Sequence, residues 1–416
     1  MNEAKKWISI TSMIKPRHWF GAVAVDEKIY VAGGYNERDR ELSHVEVYDT
    51  ISKTWETIPG MNIKREGCAA ATVAGKIYIF GGNDGDSHLS SCEMFDPLVV
   101  GTTNNSWTEI RSMKLSRSGC TSCSIGTKIY VIGGSNGYSE LSSVEVFDTC
   151  SMKWSKLPKM ATERDYCSSV SIGDKIYVIG GRSKTKALST VEVFDTQTHL
   201  WKKLPDMIIK REACAATAIG NQIHVFGGYD GNSRRSWCEV FDISTNTWSY
   251  TPNMKKERSG AAAVSIHNVA YVIGGHDRFR CLSSVDTYCT KEDLASLPTH
   301  ATRKRNYSKL SLVNRENVGI NNGEDDDHSE SMRNQTRNRN SQKSIILSPS
   351  SNKTVLERIK MLEEQIGFQQ SSPIMVNRIE HLESNILGAG KSTGGPILYR
   401  VKTLEDAFYI TGEENT

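Results

Sequence analysis

The chain has 416 residues, of which 38% are hydrophobic and 24% are charged, a balance that suits a soluble protein with a packed core. Its formal net charge is only +3, so we expect neither a nucleic acid nor a membrane as partner. The amino terminus lacks the apolar run of roughly 7–15 residues found in signal peptides, and no stretch approaches the roughly 18 apolar residues of a membrane helix. We therefore predict a cytoplasmic protein, with the nucleus as the alternative.

A pair of adjacent glycines recurs six times in the first 300 residues. Successive pairs lie 48, 52, 47, 47 and 47 residues apart, a spacing too regular for chance. The pairs are Gly33-Gly34, Gly81-Gly82, Gly133-Gly134, Gly180-Gly181, Gly227-Gly228 and Gly274-Gly275. This part of the chain is therefore built from six repeats.

Each repeat has the pattern of four short strands. In the third repeat, residues 120–125 and 128–132 flank a Gly-Thr turn, which is typical of a β-hairpin. Two further strand-like runs follow at 144–148 and 154–157, with no helical period. One such sheet cannot bury both of its faces, whereas a ring of six sheets can. We predict an all-β fold, a six-bladed β-propeller of four-stranded antiparallel blades over residues 1–300.

Side-chain size supports this arrangement. The first strands contain mainly small residues, as the crowded axis of a ring requires, whereas five of the fourth strands carry a tryptophan that can fill the gap where blades diverge. These tryptophans are Trp55, Trp107, Trp154, Trp201 and Trp248.

The chain has ten cysteines, which we interpret as reduced thiols because no export signal is present. Cys120 and Cys123 form a CxxC sequence that is typical of metal or redox sites. They lie in a predicted strand, where residues three apart face opposite sides, and no second pair accompanies them. We favour a packing role for them and predict no metal and no cofactor.

The repeats resemble a known family. A Gly-Gly pair follows an Ile-Tyr-Val-type strand, a Glu-Val-Tyr/Phe-Asp strand comes next, and a Trp precedes Leu/Ile-Pro and Met. This combination resembles the kelch repeat and covers about residues 7–300. The sixth repeat departs from it, since Val285 to Cys289 replaces the Glu-containing strand and Leu294 stands where Trp is expected.

Two segments could supply the missing outer strand of the sixth blade. One begins at Trp7, a fourth-strand sequence with no repeat in front of it, and the other begins at Leu294. We favour closure by residues 7–13, an arrangement that the kelch resemblance also implies.

The repeat pattern ends near residue 300. Residues 301–353 are rich in Asn, Ser, Arg and Lys, which predicts a disordered linker; a nuclear signal or an RNA-binding arm is the less favoured reading of its basic stretches. Residues 354–410 contain three short repeats whose apolar residues are spaced 4, 3 and 4 apart, which predicts three short amphipathic helices. Such helices are marginal alone, so we expect them to pack on each other, on the propeller or on another chain, and self-association through 354–410 is one hypothesis.

We expect residues that recur in every repeat to have a structural role, whereas residues that vary between repeats can have a binding role. Six recurring arginines are interpreted as structural, holding strand starts by hydrogen bonds to carbonyls. They are Arg17, Arg65, Arg117, Arg164, Arg211 and Arg258. Variable residues in exposed loops are instead free to contact a ligand.

The kelch resemblance implies that the loops after the Gly-Gly pairs, with the residue two after each recurring arginine, line one face and bind partner segments. The predicted partner-binding residues are Trp19, Tyr35, Asn36, Asn83, Asp84, Asn136, Tyr166, Arg182, Tyr229, Asp230, His276 and Arg278. Aromatic anchors beside positive charge suit a protein or peptide partner with an acidic motif. The alternative is that these are ordinary solvated loops.

The sequence offers little for catalysis. It contains no cluster with metal-ligand spacing and no phosphate-binding loop, because each Gly-Gly pair lies between strands. We therefore predict a non-catalytic scaffold. The alternative is a kelch-type sugar isomerase or oxidase, which convergent carboxylates or a His/Tyr/Cys set in the central pocket would favour.

Overall fold

The computed structural model of the chain describes residues 6–99, 106–289 and 293. The predicted linker 301–353, the predicted helical repeats 354–410 and Leu294 lie outside the described residues. Within them, no helix is both long enough and apolar enough to cross a membrane.

The described residues form short strands and one 3₁₀ turn, Pro97–Val99. The strands in chain order are β1 (Lys6–Ile10), β2 (Gly21–Val25), β3 (Lys28–Ala32), β4 (Tyr35–Asn36), β5 (Arg40–Glu41), β6 (Val45–Asp49), β7 (Thr54–Ile58), β8 (Ala69–Val73), β9 (Lys76–Phe80), β10 (Cys92–Phe95), β11 (Thr108–Ile110), β12 (Thr121–Ile125), β13 (Lys128–Ile132), β14 (Val144–Asp148), β15 (Lys153–Leu157), β16 (Ser168–Ile172), β17 (Lys175–Ile179), β18 (Arg182–Ser183), β19 (Lys186–Ala187), β20 (Val191–Asp195), β21 (Leu200–Leu204), β22 (Ala215–Ile219), β23 (Gln222–Phe226), β24 (Cys238–Asp242), β25 (Thr247–Thr251), β26 (Ala262–Ile266), β27 (Val269–Ile273) and β28 (Val285–Cys289).

These strands build six four-stranded antiparallel blades. Blades 1 to 5 have the strand orders β2-β3-β6-β7, β8-β9-β10-β11, β12-β13-β14-β15, β16-β17-β20-β21 and β22-β23-β24-β25. Blade 6 has the order β26-β27-β28-β1. The first strands contact one another in a closed circle, with β26 next to β2. The prediction of an all-β, six-bladed propeller is confirmed.

The outer strand of blade 6 comes from the amino terminus. β1 pairs with β28, and Trp7 lies opposite Tyr288. The indole Nε1 of Trp7 donates to the carbonyl of Pro252 at 2.7 Å, and Trp201 in blade 4 donates in the same way to Pro158 of the preceding blade at 2.8 Å. Trp7 thus occupies the place of the sixth tryptophan, and one blade holds both ends of the ring together.

The hydrophobic core lies between neighbouring blades. Phe147 and Trp154 of blade 3, for example, share a buried cluster with Tyr78 and Phe80 of blade 2, and the rings of Phe80 and Trp154 meet edge to face with centroids 5.7 Å apart. Stacking of this kind buries the faces that a single blade would leave exposed.

Each blade contains the same buried ion pair. The guanidinium of Arg117 lies 3.1 Å from the Glu145 carboxylate and also donates to the carbonyls of Gly133 and Ser143, at 2.8 and 2.9 Å. All six arginines are almost fully buried. The other five pairs are Arg17–Glu46, Arg65–Glu93, Arg164–Glu192, Arg211–Glu239 and Arg258–Asp286.

The Gly-Gly pairs end the second strands because a side chain would not fit there. Gly133 has a φ of +63°, and a Cβ on it would lie 2.5 Å from the carbonyl oxygen of Arg164. Glycine adopts this backbone conformation without steric cost, and its own carbonyl is free to accept from the recurring arginine.

Candidate functional site

Two sets of segments form one end of the propeller, which we call the loop face. One set follows the recurring arginines and the other follows the Gly-Gly pairs. They are joined by isolated β-bridges, such as His18 to Tyr35 in blade 1 and Asp165 to Arg182 in blade 4. The predicted partner-binding residues therefore belong to one end of the propeller.

A closed circle of main-chain hydrogen bonds surrounds the axis at the loop face. It runs through the residue two after each arginine, and each N–H donates to the carbonyl of the corresponding residue in the preceding blade at 2.7–2.9 Å. All six residues have positive φ angles. They are Trp19, Gly67, Gly119, Tyr166, Ala213 and Gly260.

Two aromatic side chains from opposite blades meet across this circle. The rings of Trp19 in blade 1 and Tyr166 in blade 4 have centroids 5.3 Å apart and an interplanar angle of 37°. Small residues in the other blades make room for them, since a Cβ on Gly260 would lie 2.7 Å from Cδ1 of Trp19. The pair covers the axial opening and leaves both rings half-buried.

The positive charge of Arg182 is already balanced within the protein. Its guanidinium donates to both carboxylate oxygens of Asp165, at 3.2 and 2.6 Å, and lies 3.9 Å from Glu212. It also lies over the ring of Tyr166, 5.3 Å from the centroid. Arg182 therefore holds the axial aromatic pair in place, and burial raises the pKa of the Tyr166 phenol to about 12.

Four of the predicted site residues stabilise their own loops. Oδ1 of Asn136, for example, accepts from the main-chain N–H of Tyr138 and Ser139, both at 2.9 Å. Side-chain oxygens at this position fold the hairpin tip as an Asx turn. The same bonds are made by Asn36, Asp84 and Asp230.

The remaining predicted residues are dispersed around the loop face. The Tyr35 hydroxyl accepts from Arg40 at 2.7 Å, the Tyr229 hydroxyl donates to the carbonyl of Gly231 at 3.1 Å, and Asn83 contacts His88. His276 lies beside His18, and exposed Arg278 lies 3.9 Å from Glu257. No single pocket gathers all twelve predicted residues in the part of the chain that the structure describes.

Two exposed aromatic side chains were missed by the sequence analysis. Tyr138 at the tip of the blade 3 loop is 97% exposed, and Phe279 at the tip of the blade 6 loop is 87% exposed. Blades 3 and 6 lie opposite each other, with Trp19 and Tyr166 at the centre between them. An aromatic residue at a tip where blade 2 has Asp86 and blade 5 has Asn232 was the signal that could have revealed them.

The exposed charges at the loop tips differ between blades. Blades 4 and 6 present Lys184, Lys186, Arg278 and Arg280, blade 2 presents Asp86, and the blade 1 loop presents both signs over residues 37–40. Burial and the neighbouring Glu41 raise the pKa of half-buried Glu66, and Arg40 of blade 1 partly offsets them.

A cavity of about 170 Å³ lies on the axis beneath the aromatic pair. Its walls are main chain and small side chains of the first strands, including Ala70, Thr121, Ser169 and Ala262, and no carboxylate or imidazole group lines it. The polar groups present are hydroxyls and thiols without a neighbouring base. Within the described residues, this cavity does not have the convergent groups that sugar chemistry would require.

Comparison with known protein families identifies the family to which this chain belongs. A family model described as the KLHDC2/KLHL20/DRC7 Kelch-repeats domain matches residues 2–164 and 119–294, so the two matches together cover residues 2–294 of 416. The chain belongs to the kelch-repeat family. The kelch pattern read from the sequence is thereby confirmed.

Individual kelch proteins are similar over shorter stretches. An F-box/kelch-repeat protein of Arabidopsis thaliana is 33% identical over 137 residues, which are 31% of this chain and 35% of that protein. Kelch-like protein 36 of Rattus norvegicus is 31% identical over 35% of this chain and 22% of its own length. Kelch-like protein 25 of Xenopus tropicalis is 29% identical over 35% of this chain and 26% of its own length.

These matches span between 22% and 35% of the length of the curated relatives. Together with the family match, such kelch relatives suggest a protein-interaction propeller.

Proposed function

We propose that this kelch propeller is a non-catalytic interaction module whose loop face binds a segment of a partner protein. The observation that carries the proposal is the row of aromatic side chains across the face, from Tyr138 of blade 3 through Tyr166 and Trp19 to Phe279 of blade 6. Aromatic residues held on a rigid scaffold are the side chains that most often dominate the energy of protein interfaces. Tyr138 and Phe279 expose apolar surface that a bound segment would bury.

The scaffold beneath the row is rigid. The main-chain circle fixes the backbones of Trp19 and Tyr166, and the guanidinium of Arg182, held by Asp165, lies over the ring of Tyr166. A site that is already ordered loses little conformational entropy when a partner binds. The central residues therefore serve as a fixed platform, and the loop tips provide the adjustable contacts.

The charge distribution supports an orientation for the partner segment. An acidic residue of the segment would lie over Lys184 and Lys186 of blade 4 or Arg278 and Arg280 of blade 6. A basic residue would lie toward Glu66 and Asp86 of blade 2. The acidic motif expected from the sequence is thus kept in the proposal, now with its charge directed away from Arg182, which is already paired.

The experiment is affinity capture by the full chain, followed by cross-linking to map the contact. The double variant Tyr138→Ala/Phe279→Ala should lose the captured proteins, because anchor residues each contribute roughly 1–2 kcal/mol of binding free energy or more. The double variant Lys184→Glu/Lys186→Glu should weaken capture and reduce its dependence on salt concentration.

The matched control is Leu200→Ala. Leu200 is also an exposed apolar residue, but it begins β21 at the opposite end of the blade from the loop face. Wild type and this control should capture the same proteins. Partners that survive the loop-face variants and are lost with Leu200→Ala would place binding elsewhere and refute the proposal.

A further inference from the structure

Cys281 differs from the other buried cysteines in its surroundings. Nine of the ten cysteines are buried, and eight of these nine belong to hydrophobic clusters of the core. Cys281 belongs to none of the clusters, although it is only 4% exposed. Its sulfur instead lies 3.0 Å from Nδ1 of His18 and 3.5 Å from the carbonyl oxygen of Tyr35. A buried thiol among polar groups is not explained by packing.

Two more groups that bind metals lie beside this thiol. Sγ of Cys281, a ring nitrogen of His276 and a carboxylate oxygen of Glu37 are all within 4.8 Å of one another. Nε2 of His276 is 3.4 Å from Oε1 of Glu37. Ligand atoms around a tetrahedral zinc ion, with bonds of about 2.0–2.3 Å, are roughly 3.3–3.7 Å apart. Small side-chain movements would therefore place all three atoms around one ion.

The orientation of His276 suits a metal ligand. Its Nδ1 bonds to the main-chain carbonyl of Asp277, and because a carbonyl only accepts, Nδ1 carries the proton. Nε2 is then the unprotonated nitrogen, and it is the nitrogen that faces Glu37. Metal-binding histidines are typically fixed in this way by a hydrogen bond from the other ring nitrogen.

The combination occurs at one junction between blades and not at the matching ones. In the first two blades, the residue that corresponds to Cys281 lies against the third residue after the Gly-Gly pair of the next blade. At the junction of blades 1 and 2 these residues are Glu41 and Gly85, and at the junction of blades 2 and 3 they are His88 and Gly137. The shared blade structure therefore does not require a Cys, a His and a carboxylate together.

We propose that Cys281, His276 and Glu37 bind a divalent transition metal ion with the preferences of Zn²⁺. A thiolate, an imidazole and a carboxylate are the ligand types that such an ion takes, and water would fill the fourth position. The thiol proton is released to solvent when the metal–sulfur bond forms. Cys281 is buried, whereas the Glu37 side chain is 54% exposed, so solvent can supply the water ligand.

The location of the proposed site suggests a structural role for the ion. Glu37 belongs to blade 1, whereas His276 and Cys281 belong to blade 6, so the ion would join the first and last blades at the loop face. The β1–β28 pairing joins the first and last strands of the propeller within blade 6. The ion would thus link blades 6 and 1 at the loop face. It would stabilise the folded ring because the unfolded chain does not hold these ligands together.

The test uses Zn²⁺ and Co²⁺ with the full chain. Equilibrium dialysis should find one tightly bound Zn²⁺ per chain that depends on this cluster. Co²⁺ should give a near-ultraviolet thiolate charge-transfer band, which Cys281→Ser abolishes. Cys150→Ser is the matched control because Cys150 is the exposed cysteine, and this variant should keep the band.

Glu37→Gln keeps the proposal testable if Cys281→Ser fails to fold, since the Glu37 side chain is 54% exposed. This variant should bind Zn²⁺ at least about tenfold more weakly than wild type. Zn²⁺ should also raise the urea midpoint of wild type and of Cys150→Ser more than that of Glu37→Gln. A band that persists in Cys281→Ser, or equal Zn²⁺ affinity in wild type and Glu37→Gln, would overturn the proposal.

Discussion

The main-chain nitrogen of Trp19 donates to the carbonyl of Gly260 at 2.9 Å, and this hydrogen bond completes the circle around the propeller axis. The two residues are far apart in sequence but adjacent in space because blade 6 neighbours blade 1. The indole ring of Trp19 then lies over Gly260, where a Cβ would come within 2.7 Å of Cδ1. Ring closure and the placement of the central aromatic residue thus depend on the same glycine.

Gly260→Ala should destabilise the protein by about 2 kcal/mol or more, because alanine is strained at a φ of +64° and its Cβ would displace Trp19. Urea unfolding measures the change. Gly75→Ala isolates the backbone cost, since Gly75 has a φ of +76° and nothing within 4 Å of an added Cβ. Equal losses in the two variants would show that Trp19 exerts no steric constraint on position 260.

The blades could be predicted from the sequence because each one repeats the same local pattern. The in-phase Gly-Gly pairs and strand runs established the number of blades, and Trp7 indicated a fourth strand at the amino terminus. The recurring arginines were expected to bond carbonyls. Their ion pairs, such as Arg117–Glu145, went unnoticed because residues 28 positions apart show no pairing signal in one sequence.

The candidate site was much harder to predict. Trp19 and Tyr166 were singled out separately, but their contact depends on blades 1 and 4 being opposite and on small residues at the other central positions. Asn36 and Asp230 vary between exposed loops and so resembled ligand contacts, although they stabilise their own turns. His18 and Cys281 lie near opposite ends of the propeller sequence, and only closure of the ring brings them together.

Arg117→Met should destabilise the protein by about 3–5 kcal/mol, because it leaves the buried Glu145 carboxylate without its ion pair. The additional substitution Glu145→Leu should recover part of this loss, and urea unfolding of the four proteins in the cycle measures the coupling. Arg278→Met is the control. Its partner Glu257 is exposed and 3.9 Å away, so we expect a loss of less than about 1 kcal/mol. A comparable loss in both single variants would contradict the structural role of Arg117.

Trp7→Ala should destabilise the protein by roughly 2–4 kcal/mol, since it removes a half-buried ring and the hydrogen bond to Pro252. The ring also packs against Tyr288 and Phe226, with centroids 5.1 and 5.5 Å away. Trp237→Ala is the comparison, because Trp237 is 38% exposed and contacts the guanidinium of Arg235. If thermal unfolding shows the larger effect for Trp237, closure by β1 contributes little to stability.

Cys150 should be the first thiol to react with an alkylating reagent under native conditions, because it is the exposed cysteine among the ten. Burial raises the pKa of Cys120 and Cys167 to about 12, so neither forms the reactive thiolate at neutral pH. Mass spectrometry after brief labelling should locate the adduct on the peptide containing Cys150, and urea should expose the remaining sites. Rapid native labelling of Cys120 would contradict the packing role assigned to the CxxC sequence.

Asp230 should make the stability of blade 5 depend on pH in the acidic range. Burial opposes its ionisation, but the N–H groups of Ser233 and Asn232 and the guanidinium of Arg235 outweigh that effect and lower the pKa to about 2. In the unfolded chain the pKa of this residue is 3.8, so the stabilisation is complete above about pH 4 and is lost as the pH falls toward about 2.

Asp230→Asn provides the test, since Asn36 and Asn136 already form the same turn in blades 1 and 3. The variant should keep the turn and lose the ion pair with Arg235. Wild type should be the more stable protein at pH 6, and urea unfolding at a series of pH values should show the difference shrinking between about pH 4 and pH 2. A difference that stays constant across this range would mean that the loss comes from the turn and not from the charge.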